Sequence, residues 1–249
     1  MGKMEAIAPL FAGWEETMIW SCLQGHMGEA LADDWEVPSS ACITVGDFSF
    51  FAGRPYEGLV KEAGGEILVP RDEEWASCLE ETLKGRVVRS CRYAVKKEPG
   101  VFSKEVLKSC LDGMAPGFSV VPIGRELYAP LMKEDWSRDF CSQFADYEDF
   151  AARGLGFAAV YEGRPVAGAS SYTVYSGGIE IEIDTRKDFR RMGLGKACAA
   201  RLILECLERG LYPSWDAIDL RSVRLAERLG YHADRPYTVY LRGSALEER

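Results

Sequence analysis

The chain has 249 residues, and 47% of them are hydrophobic, which is enough for a buried core in one large or two small domains. It carries 39 acidic and 30 basic residues, giving a formal net charge of -9. Because nucleic acids and anionic membranes are bound through basic faces, this charge argues against both as partners.

The first part of the chain mixes helices with short strands. Asp72 and Ser103 are predicted helix caps, and Gly85 and Gly113 follow the last apolar residues of those two helices. The pattern predicts a helix in residues 14–34, strands in 41–53, 65–70 and 87–97, and helices after Asp72 and after Ser103.

The sequence GMAPG, residues 113–117, is the predicted boundary between an N-terminal α/β domain (1–115) and a second domain (116–249). Three strands in quick succession and two capped helices dominate the second domain. This order predicts an α/β fold of the α+β type, with a mixed, mostly antiparallel sheet flanked by helices. The elements are strands in 118–123, 156–163, 164–176, 177–185, 211–217 and 237–242, and helices in 134–144, 145–154, 193–209 and 219–230.

The sequence RRMGLGKA, which begins at Arg190, joins one of these strands to a long helix. A helix N-terminus offers unpaired N–H groups and the positive end of a dipole. Gly193 and Gly195 allow an anion to approach the backbone closely, and Arg190 and Arg191 add positive charge. The segment therefore predicts a phosphate or pyrophosphate site.

Two common phosphate motifs fit poorly. A P-loop needs Ser or Thr where Ala197 stands, and it needs a glycine five residues before Gly195. A dinucleotide fingerprint needs a third glycine where Cys198 stands, although Asp216 lies at the right distance for its acidic residue. The hypothesis of an NAD-dependent enzyme is therefore supported only by the two glycines and Asp216.

The spacing Arg190-x-x-Gly193-x-Gly195 resembles the acyl-CoA motif of the GNAT acyltransferase superfamily. The segment DLRSVRLAERLGY, which begins at Asp219, is similar to that superfamily's second signature, and the resemblance covers residues 118–242. The segments SSYTVY, IEIEIDT and LILECLERGLYPSWDA resemble a bacterial branch that includes the zwittermicin A self-resistance acetyltransferase. That branch carries an N-terminal extension, so the resemblance implies a cap on the acceptor side in residues 1–115. Because these residues also mix helices and short strands, the alternative is a degenerate copy of the same fold.

The resemblance implies that acetyl-CoA is the cofactor. Backbone N–H groups from Arg191 to Lys196 would bind the pyrophosphate, assisted by Arg190. The strand around Ile183 and Thr185 would pair with the pantetheine arm where it separates from residues 211–217. The cofactor-binding set that the resemblance implies is Ile183, Thr185, Arg190, Arg191, Met192, Gly193, Leu194, Gly195, Lys196, Asp219 and Ser222.

Three carboxylates alternate along the strand before the glycine motif. Glu180, Glu182 and Asp184 share one face, and clustered carboxylates raise one another's pKa values toward those of a useful general base. They would also attract a cationic amine. We expect Glu182, or else Glu180, to act as the base, directly or through a water. The alternative is that these acids are only the polar face of a strand.

Other acceptor contacts are less defined. Strand alternation puts Ser170 and Tyr172 on one face, and both are candidate substrate-binding residues together with Asp184. Ala226 stands where the superfamily has a tyrosine that donates a proton. Tyr231, Tyr212 and Tyr172 are the candidates to replace it, and the sequence favours none of them.

The eight cysteines form no CxxC pair and there are only two histidines, so we expect no metal site. Most cysteines lie among apolar residues, which is typical of reduced thiols in a cytoplasmic protein. The N-terminus lacks the apolar core of a signal peptide, and no apolar run is long enough to span a membrane.

Two functions follow from these patterns. The first is an acetyl-CoA-dependent N-acetyltransferase that acts on a small, cationic amine such as an antibiotic or a metabolite. The second is a CoA-binding regulatory or interaction module with little or no turnover, which Ala226 favours. The oligomeric state has no signal in the sequence.

Overall fold

The structure is a computed structural model that describes residues 2–246. The predicted caps are confirmed: the Asp72 carboxylate accepts a hydrogen bond from Trp75 N, and Ser103 Oγ accepts one from Val106 N. The helices are α1 (Lys3–Ile7), α2 (Thr17–Leu23), α3 (Glu57–Glu62), α4 (Glu73–Leu83), α5 (Lys104–Asp112), α6 (Arg125–Leu131), α7 (Tyr147–Arg153), α8 (Leu194–Glu208) and α9 (Leu220–Leu229), with 3₁₀ turns at Ala8–Phe11, Arg138–Phe140, Lys187–Phe189 and Gly243–Leu246.

Most neighbouring strands are antiparallel, which confirms the predicted fold class, a mixed sheet flanked by helices. The strands are β1 (Glu29–Ala32), β2 (Ser40–Val45), β3 (Phe48–Gly53), β4 (Ile67–Pro70), β5 (Val88–Val95), β6 (Phe118–Pro122), β7 (Gly156–Tyr161), β8 (Arg164–Tyr175), β9 (Gly178–Thr185), β10 (Tyr212–Ser214), β11 (Asp216–Ala217) and β12 (Ala233–Leu241).

The chain divides into two compact units. The first unit contains the residues up to Arg92 and those from Pro236 onward, and the second unit runs from Tyr93 to Arg235. The predicted boundary at 115/116 lies inside the second unit. The reason is that α5, which precedes the GMAPG loop, packs against α8 of the second unit. The role predicted for residues 1–115 stays a prediction.

In the first unit the strand order is β1-β2-β3-β4-β12. β2 and β3 form a tight antiparallel hairpin, whereas β3 and β4 are parallel and are joined through α3. The core of this unit is built around Phe51, Trp75 and Tyr240, which are fully buried. The Trp75 indole N–H donates to Gly53 O at 2.9 Å, so the largest buried side chain has its polar group satisfied.

In the second unit the sheet order is β10-β9-β8-β7-β6. Its strands are antiparallel except for β9 and β10, which are parallel and are joined through α8. Helix α8 packs against β7, β8 and β9 with a run of small, buried residues, Ala197 to Ala200. Small side chains let the helix approach the sheet closely, and this fixes the position of its first turn relative to β9.

Two predicted helices are wrong. The helix predicted over residues 14–34 ends at Leu23, and β1 follows, because Gly25 and Gly28 adopt positive φ angles of 76° and 91° that interrupt a helix. The helix predicted over 134–144 is reduced to a 3₁₀ turn. Its aromatic residues instead make edge-to-face pairs, such as Phe144 with Phe150 and Trp136 with Phe140.

The strand predicted over residues 211–217 is two strands. β10 pairs with β9, whereas β11 pairs with Tyr93 and Ala94 at the end of β5. Trp215 lies between them, where the chain passes from one sheet to another. This change of partner opens the edge of β9, and the candidate site lies there.

Candidate active site

The chain leaves β9 through an exposed loop that ends at the first turn of α8. Arg191 adopts a left-handed conformation (φ 67°), and Gly193 follows in the same region (φ 79°) as the N-cap of the helix. Arg191, Met192 and Gly193 are exposed, and Leu194 is the first buried residue. Because the first N–H groups of a helix have no partner within it, this turn is suited to an anion.

The two glycines serve different purposes. Gly193 has open space where a side chain would lie, but its φ angle is positive, so glycine is needed there for the backbone conformation. A Cβ atom at Gly195 would lie 2.9 Å from Thr185 Oγ1 and 3.6 Å from Ile183. Gly195 therefore lets the helix begin in contact with the end of β9, and the predicted residues of the loop and of the strand meet there.

Arg190 turns back onto β9. Its Nε donates to Thr185 O at 3.0 Å, and its guanidinium lies 3.4 Å from Asp184 Oδ1. Arg191 and Lys196, in contrast, form no ion pair among the described residues, so their charges are the ones available to an anion at the helix N-terminus. Arg190 is predicted to bind the pyrophosphate, and the structure also gives it a role in holding the end of β9.

The pKa of Asp184, at the end of the carboxylate face, is perturbed. Burial raises its pKa above the ordinary value, while a hydrogen bond from Thr185 N and the charge of Arg190 act in the opposite direction. The cause is therefore loss of solvation rather than the repulsion between neighbouring acids expected from the sequence.

The predicted separation of strands is present. β10 pairs with β9 only from Gly178 to Glu180, and then the chain leaves through Trp215. Within the described part of the chain, residues 181–185 of β9 have β8 on one side and no strand on the other. The Trp215 indole N–H donates to Ser222 Oγ at 3.1 Å, which ties the departing chain to α9. An extended ligand with amide groups could add to this open edge as a strand does.

The carboxylates share one face of β9, as predicted. Ile183, on the opposite face, lies close to the start of α8, so Glu180, Glu182 and Asp184 point away from that helix. Glu180 is buried, with 4% of its surface exposed, and Glu182 is half-buried. In register, Ser170 is opposite Glu182.

A β-bulge changes the predicted faces of β8. The register shifts between Ser171 and Thr173, so that Thr173, and not Tyr172, is opposite Glu180. The alternation that put Ser170 and Tyr172 on one face is therefore interrupted. Ser170 is fully buried, and its hydroxyl donates to Phe140 O at 2.7 Å, so it fixes the wall of the site.

Sequence reasoning missed a pair of hydroxyl groups at the point where β9 and β10 separate. Tyr175 Oη and Ser214 Oγ are 3.0 Å apart, and Ser214 is the last residue of β10, opposite Glu180. A side chain at Gly178 would collide with the Tyr175 hydroxyl, so Gly178 is what lets this tyrosine cross β9. The dipeptide Gly177-Gly178 is the sequence signal, although it also fits an ordinary hairpin turn.

With this geometry established, comparison with known proteins decides the family. The family model described as GNAT acetyltransferase matches residues 8–240. The chain belongs to the GNAT acetyltransferase family. The match includes most of both units and so extends well beyond residues 118–242, where the motifs lie.

Individual relatives agree with this. A solved structure described as a GCN5-related N-acetyltransferase-like protein from Streptococcus suis is 45% identical, covers 96% of this chain and 98% of that chain, and has a TM-score of 0.93. A GCN5-related N-acetyltransferase from Kribbella flavida has a TM-score of 0.59 at 17% identity, over 92% of this chain and 95% of that chain, and shares the fold. A Bacillus subtilis (strain 168) protein named uncharacterized N-acetyltransferase YdfB is 27% identical over 244 residues, 91% of this chain and 90% of that protein.

The predicted enzyme class, an N-acetyltransferase, is thereby confirmed, whereas the zwittermicin branch stays a prediction. No helix in residues 2–246 is long and apolar enough to cross a membrane. The same residues contain no group of three or more His, Cys, Asp or Glu side chains that could hold a metal ion.

The segment that resembles the second family signature forms α9, and its polar residues have structural roles. The Asp219 carboxylate accepts hydrogen bonds from the N–H groups of Arg221 and Ser222, at 2.8 and 2.9 Å, and so caps the helix. Ser222 Oγ holds Trp215 as described above. Their predicted contacts with CoA stay predictions. Ala226, on the same helix, is buried and offers no hydroxyl.

Two of the tyrosines that could replace the missing proton donor, Tyr231 and Tyr212, have different surroundings. Tyr231 is fully buried, and its hydroxyl donates to Pro213 O at 2.6 Å. The Tyr212 hydroxyl donates to Lys96 O and accepts from Glu98 N. Burial raises the pKa of both phenols. Each hydroxyl proton therefore already has a backbone acceptor.

Proposed function

We propose that this acetyltransferase transfers the acetyl group of acetyl-CoA to the amine of a small cationic molecule, an antibiotic or a metabolite. The observation that carries the proposal is the open edge of β9. It runs from the end of the β9–β10 pairing to the exposed first turn of α8. Carboxylates lie on one face of the same strand.

The open edge suits CoA in both chemistry and length. The N–H groups between Arg191 and Lys196, with the cationic side chains of those two residues, would hold the pyrophosphate. The main chain of residues 181–185, along its open edge, would hydrogen-bond the amides of the pantetheine arm. From Thr185 back to Glu180 the strand extends for about 17 Å, at about 3.3 Å per residue. An extended pantetheine arm has a comparable length, so its sulfur would reach the end of the β9–β10 pairing.

Bound there, acetyl-CoA supplies an acetyl group that is activated as a thioester. The chain's own contribution is to collect the acceptor and remove its proton. Glu182 is half-buried and reachable, whereas Glu180 is buried beside the end of β10. Their charges favour a cationic amine. Glu182 would take the amine's proton directly or through a water, with Glu180 as the second carboxylate.

The walls around the carboxylates would set which amine fits. Ser170, opposite Glu182, is held by the carbonyl of Phe140, and Tyr172 is buried at the β-bulge beside it. Asp184 is nearest to the phosphate loop and is paired with Arg190. We expect these residues to shape the acceptor pocket rather than to react.

The direct test is amine-dependent release of CoA from acetyl-CoA, measured with a panel of polyamines, amino sugars and amino acids. Product formation should be followed by mass spectrometry, because the exposed Cys91 would react with thiol dyes. Glu182→Gln should lower kcat by about 10²-fold or more, the usual effect of losing a general base. The matched control is Glu208→Gln, an exposed carboxylate at the end of α8, which should behave as the wild type. Full turnover by Glu182→Gln at every pH would remove Glu182 from this role.

A second candidate is a CoA-binding module with little turnover, which buried Ala226 favours. Such a protein would be stabilised by CoA and acetyl-CoA but would release no CoA when amines are added. The same panel separates the two candidates.

A further inference from the structure

Acetyl transfer from CoA leaves a thiolate that must be protonated, and α9 has Ala226 where the resemblance places a tyrosine. The one hydroxyl on α9, Ser222 Oγ, accepts the Trp215 indole N–H at 3.1 Å. Ala226 is 1% exposed and apolar. Tyr231 and Tyr212 already direct their hydroxyl protons to main-chain oxygens, Pro213 O and Lys96 O. A different hydroxyl is needed where the sulfur would lie.

Ser214 occupies that position. It is the last residue of β10 and lies opposite Glu180, where the two strands stop pairing. The next residue, Trp215, leaves the sheet, so the Ser214 side chain borders the beginning of the open edge. Only 1% of Ser214 is exposed, and its hydroxyl therefore has little access to bulk water.

Tyr175 holds the Ser214 hydroxyl. The two oxygens are 3.0 Å apart, and the tyrosine reaches Ser214 by crossing over Gly178, which has no side chain. The Tyr175 hydroxyl also lies 3.5 Å from Tyr212 O, a longer contact than that with Ser214. When Tyr175 donates to Ser214 Oγ, the serine hydrogen is left to point elsewhere. Burial raises the pKa of Tyr175, and the charge of Glu180 raises it as well, while the hydrogen bond with Ser214 opposes both. The phenol is therefore protonated at neutral pH.

We propose that Ser214 is the general acid that protonates the departing CoA thiolate, and that Tyr175 positions Ser214 and resupplies its proton. This assignment rests on the proposed function, because it requires the thioester sulfur at the end of the β9–β10 pairing. It gives this chain a proton donor on β10 in place of one on α9.

The proton balance closes within the site. As the amine nitrogen forms its bond to the acetyl carbon, the carbon–sulfur bond breaks and its electron pair goes to sulfur. Ser214 gives its hydroxyl proton to the sulfur while it takes the phenol proton of Tyr175. The carboxylates of β9 take the proton removed from the amine, and that proton restores the phenol of Tyr175 before the next turnover. The products are the acetylated amine and CoA thiol.

The test compares Ser214→Ala, Ser214→Thr and Tyr175→Phe in the full chain, using acetyl-CoA and the best amine of the panel. Ser214→Ala should lower kcat by about 10²-fold or more. Its KM for acetyl-CoA and the melting shift produced by CoA should stay unchanged, because binding does not use this proton. Ser214→Thr keeps a hydroxyl and should recover most of the activity. Tyr175→Phe should lower kcat by about tenfold, and the double variant should be no slower than Ser214→Ala, because the two residues act as one unit.

Tyr231→Phe is the control, since it removes the other buried phenol near β10 and should keep kcat close to that of the wild type. An active enzyme whose kcat is unaffected by Ser214→Ala, or which loses as much with Tyr231→Phe, would overturn the assignment of Ser214 alone. A wild-type protein that releases no CoA with any amine would overturn the proposed function, and this assignment with it. The two failures are therefore distinguishable.

Discussion

The two units contain the same run of elements but use it differently. In each, an antiparallel hairpin leads through a helix to a strand parallel to the second strand of that hairpin: β2–β3, α3 and β4 in the first unit, and β8–β9, α8 and β10 in the second. The helix has 6 residues in the first unit and 15 in the second. The layout alone therefore does not make a site.

The chemical difference lies in the parallel strand pair. β3 is apolar and buried, with Phe48, Phe50 and Phe51, and it pairs with β4 as far as Pro70, the last residue of that strand. β9 carries acids on one face and loses its partner after Glu180. Among the described residues, the second unit is where a strand loses its neighbour beside an exposed, glycine-containing helix start, and this is the edge proposed to bind CoA. The comparison can be tested by changes that should affect one unit and leave the other unaltered.

The largest expected difference is in thiol reactivity. Burial raises the pKa of Cys141, Cys198 and Cys206 in the second unit to about 12 each, and it does the same for Cys42 in the first unit, whereas Cys91 of the first unit is exposed. Since the thiolate is the reactive form and burial also shields the sulfur from the reagent, a thiol reagent should label the exposed Cys91 much faster than these buried cysteines. Peptide mass spectrometry after timed labelling measures this. Cys91→Ser should abolish the fast phase, and rapid labelling of any of the three buried cysteines of the second unit would contradict the packing of that unit.

The next effect concerns the glycines at the second position of α3 and of α8. Gly195→Val should push α8 away from Thr185 and weaken CoA binding by about a hundredfold or more, about 2.7 kcal/mol. Gly58→Val is the matched control, because the atoms nearest to its Cβ would be those of the Tyr56 side chain, which is exposed and can move. Calorimetric titration with CoA distinguishes them. Equal affinities for the two variants would show that the start of α8 is not the binding site.

A smaller effect is expected at Arg191, whose left-handed backbone suits glycine better. Arg191→Gly should raise the melting temperature of the free protein slightly, since it relieves a positive φ angle of 67°. It should also weaken CoA binding by about tenfold through loss of a charge-assisted hydrogen bond. Arg86→Gly, in the first unit, is the control for loss of an arginine. If Arg191→Gly bound CoA as tightly as the wild type, the cation of Arg191 would have no role at the phosphates.

The smallest effects are opposite pH trends at two aspartates. At Asp33, in the first unit, burial would raise the pKa, but hydrogen bonds from Ser39 and Ser40 lower it overall. The ionised Asp33 therefore stabilises the folded protein at neutral pH, and this stabilisation is lost as the pH falls through the folded-state pKa. At Asp184 the pKa is raised, mainly by burial, so stability is greatest at acid pH and decreases as the pH rises through the folded-state value.

Melting temperatures at about pH 3.5 and about pH 7 separate these trends. Asp33→Asn should lose stability relative to the wild type at neutral pH, and the difference should narrow at acid pH. Asp184→Asn should gain relative to the wild type as the pH rises. The same trend for both variants would mean that one of the two carboxylates is not in the environment described.

Much of the second unit could be predicted because its signals are local. Gly193 and Gly210 mark the ends of α8, and Asp219 and Gly230 mark the ends of α9. The alternation of side chains between the two faces of the sheet defines the strands from β7 to β9. The glycine-containing loop before α8 and the carboxylate face of β9 followed from the same local patterns.

What could not be predicted depends on contacts between distant residues. The bulge beside Tyr172 arises in the pairing of β8 with β9, and the change of sheet at Trp215 depends on β5. Ser214 and Tyr175 meet only because Gly178 leaves room between them. Helix α6 was missed because Pro130 lies within it, and proline is a helix-breaking signal in a sequence.

The central claim, that the open edge of β9 and the start of α8 hold CoA, is tested most directly by the melting temperature of the wild-type chain with acetyl-CoA, free CoA or NADH. A ligand at about a hundred times its Kd adds about 2.7 kcal/mol of stability, which gives a clear shift. The account predicts a shift with both CoA species, none with NADH, and its loss in Gly195→Val. No shift with either CoA species, or an equal shift with NADH, would contradict it.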